Sequence, residues 1–429
     1  MSISGSAAPG GGLRLAPFRA LRYVPERVGS LAAVTSPPYD VVVRPEGQRH
    51  LETADPHNVV RLILPSAEPP DGRHLKAAST LSQWQKDGVL ALDPSPALYV
   101  YEQRDGGHLQ RGLIGALRLT PPEERVVLPH EDVMPGPVAD RAALMRATAA
   151  NLEPLLLSYR GGEGPAGRIV EHAVQDAPLL ATTTEDGIRH RLWAITDDDA
   201  IAAVRADLSH HQALIADGHH RWATYLRLQA EQDGPSPWDY GLVLLVDTAR
   251  YPLRVRAIHR VLPQLPVALA LEAARKAFRV RELPHALPQA LAALEDATAE
   301  GNAFVLSGDN GFHLLDRPDP DLTALTVPHD RPEAWRRLDA TVLHNLLLDR
   351  VWEVPDGPEH IQYIHDTEAA VAHAERLGGT AVLIHPVRES VVHELARQGV
   401  TMPRKSTSFG PKPASGLVLR SLEPDGTPA

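Results

Sequence analysis

One stretch of the sequence combines residue types and spacing in a way that suggests chemistry: Leu214-Ile215-Ala216-Asp217-Gly218-His219-His220-Arg221. An acid, a glycine, two imidazoles and a guanidinium follow a short apolar run, and Trp222, Tyr225, Leu226 and Ala230 then recur at helical spacing. The pattern predicts strand, tight turn and helix, with Asp217 as N-cap and Gly218 letting the backbone turn sharply and approach a ligand. Cations in a first turn oppose the helix dipole, which favours acids there. A breach of a local rule is expected at functional sites, and an anion held by Gly218, His219, His220 and Arg221 at the helix N-terminus repairs it. Phosphate is the natural anion. Asp217 would repel it, so either Mg2+ lies between them with Asp217 as its ligand, or Asp217 is itself a base.

A second stretch is Thr401-Met402-Pro403-Arg404-Lys405-Ser406-Thr407-Ser408-Phe409-Gly410-Pro411-Lys412-Pro413. Between Leu395 and Leu422 no acid occurs, whereas Arg397, Arg404, Lys405, Lys412 and Arg420 all fall there. Arg404, Lys405, Ser406, Thr407 and Lys412 offer the charge and the short-range donors that phosphate oxygens accept from. The spacing approaches a P-loop, but Arg404 replaces the second glycine and the prolines forbid the helix that must follow. Two further acids stand on rigid chain: Asp40 after Pro37-Pro38-Tyr39, and Glu131 in the proline-rich loop Leu128 to Pro137. Either is a candidate base, and each has a plain alternative as a cap or a solvated loop acid.

The elements that must position these residues alternate strand and helix. Leu13 to Tyr23 reads as a first strand, Asp55 to Leu62 as a turn feeding a short strand in which Asn58 and Arg61 are possible phosphate contacts, and Arg73 to Gly88 as an amphipathic helix. A hairpin turns at Asp105-Gly106-Gly107, a helix runs from about Asp140 to Asn151, and Tyr240 to Asp247 is an apolar strand. Leu253 to Leu262 alternates as one strand, with Arg254, Arg256 and Arg260 on its basic face and His259 packed behind. Asp309-Asn310-Gly311 is a hairpin turn, and the remainder alternates in α/β fashion. The expected fold class is α/β with mixed sheets, divided into a tail over 1–12, a phosphate-binding region with an insertion over 13–265, and an α/β region over 266–429 that returns the basic segment to the site.

Composition bounds the function. With 54 acids against 43 bases the net charge is -11, which argues against nonspecific binding to nucleic acid or anionic membrane. No cysteine is present, which excludes a thiolate nucleophile or a Cys-based zinc site. The residues Met1 to Gly12 lack the pattern of a secretory signal, no run of 18 apolar residues occurs, and a cytoplasmic location is expected.

The chain resembles, over nearly its whole length, the bacterial and archaeal family called domain of unknown function 1015. The resemblance is carried by APFRALRY (16–23), SPPYDVV (36–42), NVVRL (58–62), ATAANLEPLLL (147–157), ADGHHR (216–221), MPRKSTSF (402–409), PK (411–412) and SGLV (415–418). The Asp-Gly-His-His-Arg element is also similar to the phosphate-binding turn of the ParB and sulfiredoxin superfamily, which includes a free-serine kinase. That likeness implies a ParB/sulfiredoxin-like nucleotide-binding core with inserted β-hairpins, with Gly218, His219, His220 and Arg221 on nucleotide phosphates and an acid from another segment as base.

Three functions follow as expectations. The first is a phosphotransferase using ATP or ADP with Mg2+ on a small hydroxyl-bearing metabolite, with Asp217, Asp40 or Glu131 as the reacting carboxylate. The second is a non-catalytic protein responsive to nucleotide or a phosphorylated small molecule. The third is a metal-dependent hydrolase built on His210, His211, His219, His220 and Asp217, although no established ligand spacing is present.

Overall fold

The structure is a computed structural model that describes residues 11–42 and 45–423. The expected tail at 1–12 therefore lies mostly outside the described residues; Gly12 is within them, and its N–H donates to the Ser209 carbonyl at 3.1 Å. Contacts divide the chain into two compact units, one running to Leu253 and resumed from Pro411, the other formed by Arg254–Gly410. Both mix helices with sheets, the class read from the sequence; among the described residues the first unit pairs its strands in both senses and the second only antiparallel.

The first unit is organised by a nine-stranded sheet. Within it the strand Leu155–Tyr159 is antiparallel to Ala213–Asp217 and parallel to Tyr240–Asp247. Leu155–Tyr159 and Ala213–Asp217 are buried at every position, as continuous apolar runs require when both faces are covered. Val100, Leu117, Leu157, Ile215, Trp222 and Val243 share the main core. A second cluster gathers Leu21, Val34, Leu62, Trp84, Leu144 and Leu419. The hairpin predicted around Asp105-Gly106-Gly107 forms from Leu98–Asp105 and His108–Arg118.

Two local expectations are corrected here. The expected strand ending at Leu62 is a short helix, Val60–Ile63. Asn58 causes the turn: its side-chain oxygen accepts from Val60 N at 2.9 Å, while its Nδ2 ties the Ala33 and Thr35 carbonyls. Asn58 is thus a buried brace, and Arg61 Nη2 donates to the Glu52 carbonyl at 2.6 Å. The single first strand expected over Leu13 to Tyr23 is two, Leu15–Ala16 and Leu21–Tyr23, in different sheets.

In the second unit a six-stranded sheet is covered on both faces. Along Phe304–Gly308, Phe304 and Leu306 enter one apolar cluster and Val305 the other, as the two-residue period of a strand dictates. The strand expected over Leu253 to Leu262 breaks in two: Arg254–Arg256 pairs with Ser408–Gly410, whereas His259–Leu262 joins the six-stranded sheet. The basic face is lost with it, since Arg256 is exposed and Arg260 fully buried. His259 is buried, as expected.

Candidate functional site

The strand Ala213–Asp217 ends in a turn at Gly218, and the helix His219–Gln229 begins at once. The strand–turn–helix reading of the sequence is the observed structure, with one correction. The residue at the cap is Gly218, at φ 100°, and no side chain caps the helix. A Cβ built on Gly218 would stand 2.4 Å from Leu155 Cδ2, so both the left-handed backbone and the packing demand glycine. Asp217 instead turns its carboxylate to two cations: Oδ2 accepts from Arg221 Nη2 at 2.8 Å and Oδ1 lies 2.6 Å from Lys412 Nζ. Lys412 Nζ is also 2.5 Å from Asp40 Oδ2.

Asp40, Lys412, Asp217 and Arg221 therefore form a continuous chain of charges beside the helix N-terminus. Two distant segments meet to build it. Ser36 and Ser415 exchange backbone hydrogen bonds at 3.1 and 2.8 Å, which draws the Pro-Pro-Tyr-Asp segment alongside Lys412. Gln103 Nε2 donates to the Lys412 carbonyl at 2.9 Å, and Ala414 N to the Tyr101 hydroxyl at 3.2 Å, fixing that strand end from the sheet.

Arg221 faces inward. Nη1 donates to the Pro154 carbonyl at 3.0 Å, its side chain is 2% exposed, and Nε has no hydrogen-bond partner among the described residues. Burial works against its charge, but Glu153, Asp217 and Asp40 more than offset that and raise its pKa. Asp217 is likewise penalised by burial, yet Lys412 and Arg221 hold its carboxyl below the usual range. Burial lowers the Lys412 pKa less than Asp217 and Asp40 raise it.

The two histidines resolve the dipole conflict without an anion. The His130 N–H donates to His219 Nε2 at 3.2 Å, and the Met134 N–H to His220 Nε2 at 3.1 Å. Both rings accept from the Leu128–Pro137 loop and so fasten it to the helix start. Burial, then His220 and Lys412, depress the His219 pKa to about 3, so its ring is neutral and carries no charge against the dipole. Glu131 stands half-buried in this docked loop, next to His130. Arg404, Lys405, Ser406 and Thr407 belong to the second unit, where Ser406 and Thr407 are buried and the Ser406 hydroxyl donates to the Pro403 carbonyl. His210 and His211 stand in the turn before Ala213–Asp217, and His211 Nε2 lies 3.8 Å from Asp207 Oδ1. Among the described residues no three His, Cys, Asp or Glu side chains come together as a metal-holding group.

The family model described as a protein of unknown function, DUF1015, matches residues 15–341. The chain belongs to the DUF1015 family. The match includes Asp40, Glu131 and Asp217 to Arg221, and ends before Lys412. No curated protein sequence matches this DUF1015 chain. Among solved structures it is similar to a free serine kinase in complex with ADP, at 14% identity and a TM-score of 0.35, covering 66% of this chain and 84% of that one. It is also similar to a C-terminally truncated SbnI from Staphylococcus aureus, at 10% identity and a TM-score of 0.35 over 69% and 82% of the two chains. A conserved hypothetical protein from Pyrococcus furiosus gives 16% identity and a TM-score of 0.33 over 66% and 87%. No helix among the described residues of the DUF1015 chain is long and apolar enough to cross a membrane.

Sequence reasoning missed Glu153 and Tyr39. Glu153 is buried and accepts from Tyr39 N at 3.0 Å and from the Ser415 hydroxyl at 2.9 Å. The Tyr39 ring lies 4.5 Å from the Arg141 guanidinium and 5.8 Å from that of Arg221. A signal existed: an acid one proline away from the apolar run Leu155–Leu157 must enter the protein with it and find partners.

The neutral His219 makes the first unit acid-sensitive. Its folded pKa of about 3 lies below the unfolded value near ~6.5, so the unfolded chain binds the extra proton across that window. Stability from this ring is complete above the unfolded value and is lost as pH falls from there toward 3. His190, buried against Tyr101 and pushed down to about 4, acts in the same sense. The unfolding free energy of the first unit, measured by urea titration, is expected to fall by about 1.4 kcal/mol per pH unit for each such ring as pH is lowered from roughly 6 to 4.5. His219→Asn should remove one ring's share of that slope, and an unchanged slope would show that the ring is protonated in the folded state.

Proposed function

We propose that this chain is a nucleotide-dependent phosphotransferase acting on the hydroxyl of a small metabolite, with Asp40, Asp217 and Lys412 at the reacting centre. The observation that carries the reading is the lysine held between two carboxylates, 2.5 Å from Asp40 and 2.6 Å from Asp217, at the start of a helix. Converging carboxylates with an exchangeable cation between them are the protein half of a magnesium–phosphate site, since Mg2+ takes one or two carboxylates and completes its shell with phosphate oxygens and water. Bound there with ATP or ADP, the metal would supply charge neutralisation; Asp217 is the residue to hold it. Lys412, released from one carboxylate, becomes a cation for the phosphates, beside the backbone N–H groups that follow Gly218.

The roles divide by environment. Asp217, 10% exposed and kept ionised, suits charge-holding. Asp40, 36% exposed, suits contact with an incoming hydroxyl and receipt of its proton. Oxygen of the metabolite attacks the terminal phosphorus, the bond to the leaving phosphate oxygen breaks, and the proton passes to the carboxylate. Glu131 remains the other base within this proposal, on the loop fastened by His219 and His220. Arg221 acts here as the strut that orients Asp217.

The reading is tested by thermal unfolding with ADP, ATP or inorganic phosphate, each with and without Mg2+, followed by phosphorus NMR of mixtures with small alcohols. Nucleotide with Mg2+ is expected to raise the midpoint, because a ligand of the folded state alone stabilises it. Asp40→Asn should keep that rise and lose transfer. No rise with any of these ligands at millimolar concentration removes the reading. A rise without transfer to any alcohol selects the second reading, a nucleotide- or phosphate-responsive binding protein, which the mutual saturation of the four charges also favours.

A further inference from the structure

The second unit contains a cleft of about 1040 Å³, opened where the chain leaves the strand Thr380–Leu383. Asn302, Asp339, His385, Arg388, Met402 and Ser406 contribute to its lining. Its charged groups are arranged unlike those of the first unit, where Asp40 and Asp217 each meet a cation. Asp339 accepts only from neutral donors, Asn302 Nδ2 at 2.7 Å and the backbone N–H of Ala303. No Arg, Lys or His among the described residues pairs with it. Arg337, which also lines the cleft, is committed to Glu333 at 2.6 Å.

The cationic side of the lining is equally open. The side chain of His385 is half-buried and that of Arg388 is exposed at the rim, and neither makes a hydrogen bond or ion pair with the described residues. A carboxylate withdrawn from water without a cation is costly, and burial accordingly pushes the Asp339 pKa up to about 6. A ligand that brings an ammonium to Asp339 removes that cost, and a guanidinium with unused donors offers a planar fork to a carboxylate.

We propose that this cleft is a binding site for a small zwitterion, its ammonium received by Asp339 and its carboxylate by Arg388 and His385. The proposal stands independently of the reading of the first unit. A cavity of this size with a few convergent polar groups is the usual form of a small-molecule site.

The test is calorimetric titration of the full chain with glycine, β-alanine and γ-aminobutyrate, against ethylamine and propionate as the two separate halves. One of the zwitterions is expected to bind at least about tenfold tighter than either half. Asp339→Asn keeps an oxygen for Asn302 and sheds the buried charge, so the fold is retained while affinity for the zwitterion and ethylamine falls at least about tenfold. Arg388→Gln is expected to weaken the zwitterion and propionate and leave ethylamine unchanged. The proposal is overturned if no zwitterion binds at millimolar concentration, if none exceeds its halves, or if both variants bind as the natural sequence does.

Discussion

Arg221→Met is expected to destabilise the first unit by about 3–5 kcal/mol, the cost of removing one partner from a buried ion pair. The guanidinium is 2% exposed and serves three groups at once: the Asp217 carboxylate, the Pro154 carbonyl and, at 5.8 Å, the Tyr39 ring. Methionine fills much of the volume but leaves Asp217 with Lys412 as its sole cation and the Pro154 carbonyl without its side-chain donor. Removing the charge from both sides should cost less than removing it from one. In Asp217→Asn with Arg221→Met the uncompensated carboxylate is gone, and the double variant is expected to be more stable than Arg221→Met alone. Urea unfolding followed by tryptophan fluorescence, with Trp335 and Trp352 replaced by Phe so that the signal comes from the first unit and its buried Trp222, measures the loss. A loss below about 1 kcal/mol, the scale of an exposed pair, would mean that the ion pair is not what holds the turn.

Lys412→Met is expected to act mainly on function. Its side chain is 20% exposed, against 2% for Arg221, so part of the lost interaction is regained from water and the midpoint should move less than for Arg221→Met. Under the proposed activity, loss of a positive group aimed at phosphate is expected to lower phosphoryl transfer by ~10²–10³-fold. It should also abolish the rise in unfolding midpoint produced by ADP. Lys412→Arg keeps the charge but replaces a compact ammonium with a planar fork, and is expected to restore stability more than transfer. If ADP stabilises Lys412→Met as strongly as the natural sequence, the lysine is a structural bridge between Asp40 and Asp217, and the phosphotransferase reading loses its central group.

The chemistry of the turn changes once its neighbours are known. Considered alone, two imidazoles and a guanidinium at a helix start call for an anion. In the fold, Asp217 answers Arg221 from within, and the imidazoles are hydrogen-bond acceptors for a loop. What then bears on an anion is Lys412 between its two carboxylates, a group that the basic C-terminal segment pointed to only as one cation among several.

Local physics wrote part of this protein directly into the chain. The run Ala213–Asp217, the glycine after it and the helical recurrence of Trp222, Tyr225 and Leu226 determine strand, turn and helix, because each depends on neighbours within a few residues. The apolar strand Tyr240–Asp247 and the hairpin at Asp105 to Gly107 were legible for the same reason. The helix at Val60–Ile63 and the break after Arg256 were not, since a buried Asn58 brace and pairing with Ser408–Gly410 override the local alternation. The meeting of Asp40 with Lys412, 372 residues apart in sequence, left no local trace. Only the tertiary structure decided it, through the bridge between Ser36 and Ser415 and the sheet that holds the Lys412 segment, because complementary charges can find each other across a chain only after its backbone pairings have fixed where each segment ends.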